Sequence, residues 1–160
     1  MKQRRQTLLL SVLLVTSTLP MLAQVEKVAM LTTGISCGVC AAVSEVHLKR
    51  MAGVDRVAIS LAKEEIVIYY KPGAAFSTQR IRDVLQGLDV GVVQVQIRAR
   101  GYVQERGGKR FFIAGKDKFG LVPVGDAPIP RDTPLLIEAI LSDNVDPIEL
   151  RVLSFKPLAQ

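Results

Sequence analysis

The chain has 160 residues, with 21 Lys and Arg against 15 Asp and Glu, one His, two Cys and no Trp. A net charge of +6 without a Lys/Arg cluster, and an aromatic content of 5%, give little purchase on a phosphate backbone, so nucleic acid is excluded as an expected partner. One histidine, no nucleophile elbow and no paired carboxylates in a recognisable setting leave no catalytic constellation, and the chain reads as a non-enzyme.

Lys2, Arg4 and Arg5 precede an apolar run from Leu8 to Val15, followed by small and turn-forming residues through Pro20 and Ala23. This is the layout of a secretory signal peptide over residues 1–23. Thr7, Ser11, Thr16, Ser17, Thr18 and Pro20 interrupt the uncharged stretch, which favours cleavage over a permanent membrane span. Cleavage after Ala23 removes three basic and no acidic residues and lowers the net charge to +3. The expectation is an exported protein of a bacterial periplasm.

From Val25 the sequence alternates with period two, placing Val28, Met30 and Thr32 on one face of a strand that ends in the turn Thr33-Gly34-Ile35-Ser36. Ala41, Ser44, Leu48 and Met51 then recur at spacings of three and four, which predicts an amphipathic helix starting near Cys37 to Cys40 and stopped by Ala52-Gly53. Two strands follow, at Val54 to Leu61 with Val57, Ile59 and Leu61 on one face, and at Ile66 to Tyr70. Ser77 is a suitable N-cap for a helix that buries Ile81, Val84, Leu85 and Leu88. A strand alternating Val93, Val95 and Ile97 with polar residues completes a β-α-β-β-α-β order over residues 24–101, a ferredoxin-like arrangement.

Past Gly101 the texture changes to short apolar runs broken by Gly, Pro and Asp. Strands are predicted at Tyr102 to Glu105, Arg110 to Ala114, Phe119 to Val124, Leu135 to Leu141 and Glu149 to Phe155, with turns at Gly107-Gly108, Gly115 to Asp117, Asp126 to Pro130 and Asp143 to Pro147. Pro134 to Asp143 also reads as a helix with Pro134 in its first turn. The expectation for residues 102–160 is a small antiparallel β domain, barrel or sandwich, and for the whole chain an α+β protein of two domains.

Chemistry concentrates in Gly34-Ile35-Ser36-Cys37-Gly38-Val39-Cys40, between a strand and a helix start. A Cys-x-x-Cys there lets both sulfurs point at one spot, where backbone N–H groups and the helix dipole favour thiolate. Two thiolates bind soft metals and leave coordination open for a ligand from a partner. A disulfide across so short a loop would add little to fold stability.

These residues, with the Ala52-Gly53-Val54 turn and the predicted element order, resemble the heavy-metal-associated domain family over about Val25 to Gly101. The resemblance implies a ferredoxin-like fold holding one metal ion between Cys37 and Cys40, with Gly34, Ile35, Ser36 and Gly38 shaping the loop. Ile35 stands where the family usually has Met, a packing role Ile can share. The ions implied are copper(I) or mercury(II), with zinc(II) and cadmium(II) also within reach of a thiolate pair. The partner implied is a membrane metal transporter or another metal-accepting protein.

Two other readings use the same residues. A thiol-disulfide oxidoreductase would employ Cys37 as nucleophile and Cys40 as resolving thiol, although no Trp precedes the pair. A scaffolding protein would use neither. His47 lies about 10 Å along the helix from Cys40, at 1.5 Å per residue, too far to share an ion. Met30 reads as a core residue, Tyr69-Tyr70 as strand packing, and Lys49-Arg50 as a solvated helix end.

Overall fold

The computed structural model describes residues 24–122 and 128–159; the expected leader at 1–23, the last residues of the strand expected to reach Val124, and part of the turn expected at Asp126 to Pro130 lie outside them. Ten elements follow in order: β1 (Gln24–Thr33), α1 (Gly38–Lys49), β2 (Val54–Ser60), β3 (Glu65–Tyr70), α2 (Thr78–Gln86), β4 (Gly91–Arg106), β5 (Lys109–Ala114), β6 (Asp117–Val122), β7 (Leu135–Ser142) and β8 (Glu149–Pro157).

Strands β2, β3, β1 and β4 lie side by side in that order. One face of this sheet buries Val28, Met30, Ile66, Ile68, Val95 and Ile97, under Leu48 of α1 and Ile81 and Leu85 of α2. Each helix is short and starts on a side-chain cap: Cys37 Sγ accepts from the Cys40 N–H, and Ser77 Oγ from the Arg80 N–H. Two expected core residues sit elsewhere. Val93 is 62% exposed because the β1–β4 register skips it in a bulge, stepping from the Leu31–Gln94 pair to the Thr32–Val92 pair. Leu61 is exposed in the turn past the end of β2 at Ser60, while Val57 is buried as expected and a bulge between Val54 and Arg56 leaves Val54 buried as well.

The second half closes a ring. β4 pairs with β5 over Tyr102 to Arg106, β5 with β6, β6 with β8, β8 with β7, and β7 returns to pair with β4 over Val95 to Gly101. A ring of five strands cannot alternate direction all the way round, so one neighbouring pair must be parallel. That pair is β6 and β8, which corrects the expectation of a purely antiparallel domain. The helix considered over Pro134 to Asp143 is also set aside: Leu135, Ile137, Ala139 and Leu141 are buried in strict alternation, the period of a strand. Phe112, Val103, Phe119, Leu135, Ile137 and Leu150 fill the barrel, leaving its centre a packed core.

The expected boundary at Gly101 falls inside β4, a single strand of 16 residues. A Cβ on Gly101 would lie 2.0 Å from the Ile113 carbonyl oxygen, so the missing side chain lets β5 cross where β4 leaves the first sheet for the barrel. Buried residues of both halves form one continuous cluster.

Candidate metal centre

β1 ends at Thr33, and the chain turns through Gly34 at φ +90°, a conformation open to glycine. A Cβ at Gly34 would stand 2.6 Å from the Asp89 carbonyl oxygen, so the loop leans directly on the backbone of the α2–β4 connection. Ile35 is 1% exposed and plugs the loop into the core, while Ser36, Cys37 and Gly38 are exposed and Cys40 is half-buried. No heavy atom lies within 4 Å of a Cβ built on Gly38, so that glycine is not required for space.

Cys37 is the N-cap of α1, with φ −137° and ψ 154°, and its sulfur accepts the Cys40 N–H at 3.1 Å. That hydrogen bond and the free N–H groups of the first turn favour negative charge on sulfur once the pair is reduced. Here Cys37 and Cys40 are joined as a disulfide, their Cα atoms 5.3 Å apart. Both sulfurs therefore meet at one point on the surface. As a dithiol the same point offers two soft donors, and among the described residues no group of three or more His, Cys, Asp or Glu side chains gathers to supply more. His47 is exposed on the far part of α1.

Sequence reasoning missed what surrounds the sulfurs. Val39, between the two cysteines, is 73% exposed, and Val43 and Val46 continue the stripe along α1 at 41% and 47%. Their spacing of four and three was the available signal, on the side of the helix opposite the buried Ser44 and Leu48.

Several solved structures are similar to part of the chain. The CopZ metallochaperone is 21% identical, covering 42% of this chain and 98% of its own, with a TM-score of 0.39. A copper-containing variant of CopA from Bacillus subtilis is 36% identical over 46% of this chain and 95% of its own, with a TM-score of 0.38. The water-soluble region of the P-type ATPase CopA from Bacillus subtilis is 31% identical over 54% of this chain, with a TM-score of 0.41, and this chain spans 55% of its length. No family model matches the chain, and no curated protein does. The glycine–cysteine loop at a helix start, joined to 36% identity across 95% of the second of these proteins, sets the first half of the chain in the heavy-metal-associated domain family.

Proposed function

We propose that this protein is a carrier for one soft metal ion, held between Cys37 and Cys40 in their reduced form, and not an enzyme. The observation that supports it is the meeting of two sulfurs at one exposed helix start, without a third protein donor nearby among the described residues. Two thiolates suit the linear or open trigonal shells of copper(I) and mercury(II) better than the tetrahedral shell of zinc(II) or cadmium(II). Copper is the metal named for the similar CopA, and copper(I) is the ion assigned here. Residues 24–101 are read as a ferredoxin-like unit that presents the loop. Export to a periplasm, with a membrane metal transporter or another metal-accepting protein as recipient, completes the reading.

The test is titration of the reduced chain and its Cys37→Ser/Cys40→Ser variant with copper(I), mercury(II) and zinc(II) against calibrated chelators. One tight equivalent, lost in the variant and ordered copper(I) or mercury(II) above zinc(II), is expected. Binding no tighter than the variant's would overturn the carrier. The disulfide itself supports a second reading, a thiol-disulfide oxidoreductase, for which catalysed reduction of insulin is the distinguishing assay.

A further inference from the structure

The disulfide of Cys37 and Cys40 and the valine stripe of α1 are one continuous surface. Val39 lies inside the Cys-x-x-Cys loop, and Val43 and Val46 extend from it along the solvent side of the helix, with Ala42 between them. His47 and Arg50 edge the stripe, and Lys49 is tied to Glu45 at 2.5 Å, so no carboxylate is left free among them. Three branched apolar side chains are thus exposed to water on one helix face, beside the disulfide.

We infer that this stripe docks a protein dithiol that reduces the Cys37–Cys40 disulfide and thereby opens the site to metal. The purpose of the step rests on the carrier reading; the docking does not. Cys37 is exposed and Cys40 half-buried, so the incoming thiolate reaches Cys37 Sγ. A bond forms between the partner's sulfur and Cys37 Sγ, and the Cys37–Cys40 bond breaks with its electron pair leaving on Cys40 Sγ. Cys40 lies in the first turn of α1, where the helix dipole favours a thiolate leaving group. The partner's second thiol then attacks the mixed disulfide. The partner departs as a disulfide, having given up two electrons and two protons, and Cys37 and Cys40 are left as the dithiol. A small thiol needs no apolar landing for this chemistry; a protein that must hold its dithiol against Cys37 Sγ gains one from the valines.

The experiment follows reduction of the oxidised full chain by reduced thioredoxin and, separately, by dithiothreitol, in wild type and in Val43→Asp/Val46→Asp. The variant should react with thioredoxin about tenfold more slowly, the loss of one well-packed contact. Its dithiothreitol rate should not change, and after chemical reduction it should take copper(I) as wild type does. An unchanged thioredoxin rate, or equal slowing with both reductants, would overturn the proposal. So would a wild-type dimer that the substitution turns into monomer, since a second copy would then own the stripe. Val43→Thr/Val46→Thr, which keeps the side-chain shape, stands in if the aspartates unfold α1, and should slow thioredoxin in the same sense. Failure of the metal titration with the thioredoxin effect intact would remove the carrier reading alone.

Discussion

Arg82 on α2 grips Asp143 at the end of β7 with two parallel hydrogen bonds, Nε to Oδ2 at 2.6 Å and Nη2 to Oδ1 at 2.8 Å. This fork ties the helix over the first sheet to the rim of the barrel, 61 residues away in sequence. The Arg82 hydrogen bond is the main reason that the Asp143 carboxyl is held below the usual carboxylate range.

Stability should accordingly depend on this pair in acid. A folded-state value below the unfolded one means that the contribution is complete above the unfolded carboxylate range, near pH 4, and is lost as pH falls through the lowered value. Arg82→Ala should cost about 1 kcal/mol at pH 7, the pair being partly exposed, and should flatten the acid limb of the stability curve. Urea melts at pH 7 and pH 3 measure both effects; an equal loss at the two pH values would show that the ion pair is not the cause.

Tyr70 and Asp117 make the opposite case. The Tyr70 hydroxyl is buried without a hydrogen-bond partner among the described residues, and burial, with the nearby Asp117 charge second, pushes its pKa up to about 12. Burial also raises Asp117, so its contribution is greatest below the ordinary carboxylate range and is lost as pH rises through the raised value. Tyr70→Phe, which removes the unpaired hydroxyl and keeps the ring on Phe76, should be neutral or stabilising by up to about 1 kcal/mol at pH 7 in thermal melts. A loss of that size would mean that the hydroxyl has a partner in solution.

Gly34→Ala should harm the cysteine loop more than the fold. The residue sits at φ +90°, and the new methyl would meet the Asp89 carbonyl oxygen at 2.6 Å. A destabilisation of about 1–2 kcal/mol is expected. Backbone NMR shifts should move at residues 33–41 and 88–91 and stay in place in the barrel.

Gly101→Ala should be the more damaging glycine substitution, since its methyl would meet rigid backbone, the Ile113 carbonyl oxygen at 2.0 Å. About 3 kcal/mol is expected, the upper range for overpacking a closed site. Amide exchange should accelerate in β5, which carries Ile113, and in β1 and β7, which flank β4 ahead of Gly101.

Much of this architecture was legible locally. The alternation of Val28, Met30 and Thr32, the Ser77 cap and the short runs that became β5 to β8 are patterns of neighbouring residues, which propensity and periodicity read well. The cysteine loop was legible for the same reason. What escaped depends on partners distant in sequence. Val93 looks like a core residue until β1 pairs past it, and the parallel β6–β8 pair follows only from ring closure. The Arg82–Asp143 fork has no local signature. The valines of α1 had one, but their spacing says only that they share a face, and only the packed helix reveals that this face is bare.

β4 gives one edge to β1 and the other to β7 over the same stretch, then runs on into the barrel without a break. A free-standing sheet ending at this strand would have a bare edge and a tail that could swivel. Here the strand that closes the cysteine-bearing sheet is itself a stave of the barrel. A partner that grasped the barrel would thus hold Cys37 and Cys40 at a set distance and bearing, as a handle holds a blade, and any exchange between two such bodies would be a matter of aim as well as affinity.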